Sequence, residues 1–160
     1  MSSPSLFVPG QPVTAEELQA LGAEPASWTP ALTSDGTSPT MGSGATNVGR
    51  YTQLNHLAQV TFDIAFGSSM AAGTGTYRVS LPVNVDPGSE SYQILGHGMI
   101  YDASLDDPWH VMFVALPGAP TVARIAYENL GTNDWVTASA PITWAQNDRI
   151  VGNLLYPADW

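Results

Sequence analysis

From Trp28 onward apolar and polar residues alternate with a period of two, and that alternation restricts the chain to β-structure. Val60, Phe62, Ile64 and Phe66 alternate with Thr61, Asp63 and Ala65, which gives an extended segment one buried face and one mostly wet face. Tyr77, Val79 and Leu81 alternate with Thr76, Arg78 and Ser80 in the same way. The Gly- and Ser-rich stretch 67–75 between them reads as the long loop of a hairpin, and Pro82 ends the second strand or places it at an edge. Further strands are expected at 93–102, 109–116, 121–128 and 149–156. Turn chemistry separates them at Asp106-Asp107-Pro108 and Pro117-Gly118-Ala119-Pro120. Segment 109–116 is apolar at nearly every position, which implies burial on both faces. Gly96 and Gly98 fall on one face of their strand, which implies a bulge or a closely crossing backbone. Residues 138–144 read as a short edge segment. The pattern predicts an all-β fold, an antiparallel β-sandwich of jelly-roll-like form, over residues 27–160.

Composition narrows the function classes. Cations are scarce: Arg50, Arg78, Arg124 and Arg149 stand alone, lysine is absent, and the formal net charge is −10. Such a body repels phosphate backbones and anionic bilayers, which argues against nucleic-acid binding and membrane attachment. It also resists non-specific adhesion, as suits the outside of a particle. With no cysteine, disulfides and thiolate metal sites are ruled out. No stretch approaches the length of a membrane span. The start, Met1 to Pro9, has neither a basic nor an apolar signal region, so the chain is expected to be made in a cytoplasm.

Residues 1–26 differ from the rest and read as an attachment arm with a short helix. Leu6, Phe7 and Val8 lie between prolines, an extended segment. Thr14-Ala15-Glu16-Glu17 is a capping box, Leu18 and Leu21 form one apolar edge, and Gly22 is a natural stop. Roughly two helical turns are unstable alone, so this helix must dock on its own body or on a neighbour. Burying Leu6, Phe7 and Val8 contributes on the order of 5–8 kcal/mol before ordering costs.

Four blocks, in order, resemble the β-sandwich domain of tail-fibre, minor tail and other virion-surface proteins of tailed bacteriophages. The first is the arm and helix, Val13 to Leu21. The second is Trp28-Thr29-Pro30 with Met41-Gly42-Ser43-Gly44 and Gly49-Arg50-Tyr51. The third is Phe66-Gly67-Ser68-Ser69 with Gly73-Thr74-Gly75-Thr76-Tyr77 and Leu81-Pro82, and the fourth is Pro141-Ile142-Thr143-Trp144 with Asp148-Arg149. The match runs over residues 13–156. It implies a homo-oligomer, most often a trimer, that sits on the virion among other capsid or tail proteins. There it serves as a structural or decoration subunit, or as a receptor-binding module for host-surface glycans. Head and tail locations both remain open.

The candidate chemistry is sparse. His56, His97 and His110 match no metal-ligand spacing, and no metal or other cofactor is expected. Residues 102–107 carry clustered carboxylates without the alternation of a calcium loop, so an Asx turn is the simpler reading. There is no Gly-x-Ser-x-Gly elbow, and Glu16, Glu17, Glu24 and Glu90 lie in the arm or in a loop. A non-enzymatic protein is expected. Trp135, Tyr101 and Trp109, with Tyr127, offer flat faces to sugar rings; the alternative is that they fill the core or a subunit interface. Trp135, in a polar loop, is the best exposed of them. Arg50 and Arg124 are expected to pair with acidic strand neighbours.

Overall fold

A computed structural model describes residues 24–86, 92–129 and 132–159. The arm residues Leu6, Phe7, Val8, Leu18 and Leu21, and the helix expected around them, lie outside the described residues. Among the described residues there is no helix, and the strands are β1 (Ala26–Trp28), β2 (Leu32–Ser34), β3 (Thr46–Leu54), β4 (Leu57–Ala65), β5 (Tyr77–Ser80), β6 (Gln93–Asp102), β7 (Asp107–Leu116), β8 (Ala119–Asn129), β9 (Thr132–Trp135) and β10 (Arg149–Pro157). The first strand among the described residues, β1, starts at Ala26.

Hydrogen bonding joins the strands in one antiparallel path, β1-β3-β4-β10-β6-β7-β8-β5-β2, with β9 also on β8. The two ends of that path are neighbours in sequence. Only Thr29, Pro30 and Ala31 separate β1 from β2, and so short a link spans at most about 14 Å. The sheet's opposite edges are thus tied together, and the sheet curls into a half-barrel. The link is pinned on both sides. Ser80 Oγ accepts from the Ala31 amide at 2.9 Å, the Ala31 carbonyl accepts from the Ser80 amide at 2.9 Å, and Asn47 Nδ2 donates to the Pro30 carbonyl at 3.1 Å.

The alternation read from sequence sets the inner face. Val60, Phe62 and Ile64 of β4 meet Leu154, Gly152 and Ile150 of β10, and all six are buried. Burying apolar side chains of this size stabilises by about 1.5–3 kcal/mol each. Tyr77 and Tyr156 bring hydroxyls into this core, and each donates to a carbonyl, Ala72 at 2.6 Å and Val83 at 2.9 Å. Burial pushes both phenols well above the ordinary tyrosine range.

One row through the core carries glycine where other rows carry aliphatics. Gly49, Phe62, Gly152 and Gly98 lie at one level across β3, β4, β10 and β6. A Cβ on Gly49 would overlap the Trp28 indole, on Gly152 the Phe62 ring, and on Gly98 the Val151 carbonyl and the Phe113 ring. Aromatic rings lie over bare backbone, and they pack edge-on in series, Trp28 on Phe62 at 6.3 Å and Phe62 on Phe113 at 5.2 Å. Large rings facing glycines let the strands close without a bulky inner layer. The register of β6 against β7 also shifts between Ile94 and Gly96, so the glycine pair marks both a bulge and a close crossing, as its spacing implied.

The expected hairpin of 60–66 with 76–81 does not form. β4 pairs with β3 and β10, whereas β5 pairs with β2 and β8. Residues 67–75 instead run along the 37–43 loop, with bridges Ser43–Ser68 and Thr40–Ala71 and a Thr74 amide bond to the Thr37 carbonyl at 2.9 Å. Two-residue periodicity fixes which face of a strand is buried; it carries no information about the partner strand. The true partner of β4 is β3, joined to it through Asn55 and His56, where Asn55 takes a φ of 52°, a region asparagine tolerates. β3 contains Asn47, Gly49, Arg50 and Gln53, which masks its alternation. By contrast, the Pro117–Gly118 turn between β7 and β8 behaves as read, with Gly118 at φ 72°.

Candidate functional site

The outer face of the curl is the side that strand alternation turns away from the core. Across β3, β4, β10 and β6 it presents two adjacent rows. Val48, Asp63, Val151 and Met99 form one, and Arg50, Thr61, Asn153 and His97 form the next. Both rows line a depression of about 870 Å³, closed at one end by Ser27, Trp28 and Thr29 of the β1 edge. A second depression of about 500 Å³ continues from it and shares His97 and Asn153. The first is of the size and mixed lining typical of small-ligand sites.

Polar groups there are held in distinct ways. Asp63 Oδ2 accepts from Arg149 Nη2 at 2.9 Å, which fixes the carboxylate, while its Oδ1 is buried and has no partner among the described residues. Asn47, oriented by its Nδ2 bond to the Pro30 carbonyl, and Trp28 lie at register positions of the core face, opposite Ile64 and Gly49, and their Oδ1 and Nε1 atoms are also buried without a partner among the described residues. Arg50 forms no ion pair with a described residue, contrary to the expectation from sequence. It faces Ser27 and Thr61 across the sheet instead of an acid.

Beyond this polar stretch the outer face turns apolar. Leu54 faces Leu57 across the β3–β4 hairpin, Leu155 lies diagonally next on β10, and Ile94 follows on β6. Leu155 and Ile94 are 58% and 60% exposed, and such a contiguous apolar strip is unusual on a solvated sheet.

The residues singled out for sugar contact lie elsewhere and not together. Trp109 faces the core side and packs edge-on against Tyr127 at 6.0 Å. Tyr101 is on the outer face, where its hydroxyl donates to Asp106 Oδ1 at 2.6 Å, and that bond pushes the phenol's pKa up. Trp135 sits on β9 with the Arg124 guanidinium 5.4 Å from its ring centre, so a cation already occupies one side of it. Arg124 is paired as expected, but it shares its acid. Arg78 and Arg124 lie directly opposite each other, and both reach Asp35 Oδ2, at 3.4 and 3.3 Å. The Thr76 amide donates to Asp35 Oδ1 at 2.7 Å, the main reason its pKa is lowered.

The acidic loop is an Asx turn. Asp102 Oδ1 accepts from the Ser104 hydroxyl at 2.7 Å and from the Ser104 and Leu105 amides at 2.9 and 3.2 Å, bonds that lower its pKa, the hydroxyl foremost. Asp148, fully buried, accepts from the Ala103 and Ala145 amides at 3.0 and 2.6 Å. Burial nonetheless raises its pKa. Among the described residues no group of three His, Asp or Glu side chains converges to hold a metal ion.

Alternation alone places Thr61, Asp63 and Arg78 on wet faces, and nothing in it marks the groove. Arg50, Thr61, Asp63, His97 and Asn153 come from four strands spread over a hundred residues, and only the pairing order aligns them. No family model, curated protein or solved structure matches the chain.

Proposed function

We propose that this chain is a non-enzymatic structural subunit of a tailed-phage virion, a minor tail, tail-fibre or capsid decoration protein. It works as a homo-oligomer, with a trimer the symmetry implied by the family resemblance. Its strands act as a jelly-roll-like sandwich body, and residues 1–26 join that body to other virion proteins. The observation that carries the reading is the exposed strip Leu54, Leu57, Leu155 and Ile94. An isolated monomer gains nothing from presenting it, whereas a subunit interface buries it. The low charge density and net −10 are in keeping with a particle surface. Mass spectrometry of purified particles and labelling with an antibody to the body test it: the chain is expected on every virion, and its absence from them refutes the reading.

A second reading, recognition of host-surface glycans, is favoured by the polar groove beside that strip. It is compatible with the first, because the groove and the apolar strip cross the same strands, β3, β4, β10 and β6, at different levels along them.

A further inference from the structure

The direction of β1 fixes the side from which the chain enters the body. Ala26 pairs with Tyr51, Ser27 with Arg50 and Trp28 with Gly49, so the chain followed backward from β1 climbs along β3 toward Leu54. Two more residues in that direction, Pro25 and Glu24, bring it level with Gln53, beside the exposed strip of Leu54, Leu57, Leu155 and Ile94. Residues 1–23, which lie outside the described residues, thus join the body next to that strip and point past the β3–β4 hairpin. We propose that residues 14–21 of a neighbouring copy cover the strip. The inference rests on the oligomeric reading and names the partner that its interface takes; the assembled ring, not the lone chain, is then the unit that joins the virion.

Size and chemistry match. The strip crosses β3, β4, β10 and β6, about 14 Å from first to last at the spacing of paired strands. The two-turn helix that the capping box and Gly22 predict over 14–21 is about 12 Å long, with Leu18 and Leu21 on one edge. Such a helix is unstable alone, and the strip alone leaves apolar surface in water. Leu155 and Ile94 also line a depression of about 500 Å³, a seat for a leucine side chain. Charge leaves no other kind of contact. Glu16 and Glu17 are the only charged side chains in residues 1–23, and the chain carries a net −10, so two copies repel unless apolar groups join them. The strip of the same chain is out of reach. Three chain steps link Leu21 to Glu24, at most about 11 Å. Rising from the sheet edge onto a packed layer uses about 10 Å of that, which holds Leu18 and Leu21 over β1 and β3, short of Leu155 and Ile94. A helix that leaves one copy and lands on a different patch of the next makes a heterologous contact, which closes into a ring, as a trimer requires.

The chain has no cysteine, so introduced thiols report this contact without background. The full-length variant carrying Leu18→Cys and Leu155→Cys is treated with a short bismaleimide and run on a denaturing gel beside each single variant. Linked species of two and three chains are expected in the double variant and absent from the single ones. Leu18→Ser with Leu21→Ser should lower the solution mass from three chains to one while circular dichroism stays unchanged, and this variant decides the matter if the cysteine variant fails to assemble. A cross-link that closes within one chain overturns the proposal in favour of docking on the same body. A three-chain mass retained by the serine variant, or no cross-link in a cysteine variant that keeps that mass, overturns it by showing that another surface covers the strip, and leaves the oligomeric reading standing. A wild type with the mass of one chain removes both.

Discussion

Gly152→Ala is the most direct probe of the curled sheet. The added methyl would meet the Phe62 ring edge, with the Phe113 ring 3.1 Å away. Phe62 cannot retreat freely, since it is wedged between Trp28 and Phe113. Overpacking of this kind costs about 1–3 kcal/mol. For a chain of this length that corresponds to a fall in melting temperature of roughly 2–12 °C. Phe62→Leu removes the ring edge that the methyl strikes, so the two substitutions should not add. In a double-mutant cycle read by urea denaturation, with tryptophan fluorescence and far-UV circular dichroism, the expected coupling is about 1 kcal/mol or more, with the pair less damaging than the sum. Additivity within about 0.5 kcal/mol would show that Gly152 is not held at glycine by Phe62, and the explanation of the glycine row would fail.

Other outcomes follow from the carboxylates and the arm. Burial raises the folded-state pKa of Asp148, so the folded chain takes up its proton first, and stability should rise as pH falls from neutral through that pKa. Asp35 and Asp102 are shifted down, so their contribution is present above the usual carboxylate range and is lost as pH falls through their lowered values. Melting temperature against pH should therefore pass through an acid-side maximum, and Asp148→Asn should flatten the rise toward it; a rise of the same size in that variant refutes the assignment. Asp35→Ala removes the acceptor of the Thr76 amide and leaves Arg78 and Arg124 face to face. Because all three are partly solvated, the expected loss in chemical denaturation is only about 1–2 kcal/mol; no loss would mean that the shared carboxylate does not hold the β2 edge. Deleting residues 1–23, which spares β1, should leave a body of unchanged circular dichroism that no longer enters particles. Normal incorporation would remove the attachment role of the arm.

The faces of this fold are legible in the sequence, and the neighbours are not. Alternation at Val60–Phe66 and Tyr77–Leu81 reports burial correctly because side-chain direction is a local property of an extended chain. The same residues suggested a hairpin that does not exist, because pairing depends on long-range partners such as β10, which lies some ninety residues from β4 in sequence. Gly96 and Gly98 were readable because a missing side chain in a strand needs a nearby reason, and Val151 and Asn153 supply it. The groove is not legible in the sequence for the opposite reason. Thr61 and Asn153 are ordinary wet-face residues until β4 and β10 align them. The aromatics drew attention by type, yet Trp109 is committed to packing and Trp135 to Arg124.

The solution molar mass of the purified chain tests the central claim most directly, when measured by size-exclusion chromatography with light scattering beside the double variant Leu57→Ser, Leu155→Ser. A wild-type mass of three chains, falling toward one in the variant without loss of fold, is the expected result. A wild type that stays at the mass of one chain across accessible concentrations would contradict the claim that the apolar outer strip is an interface.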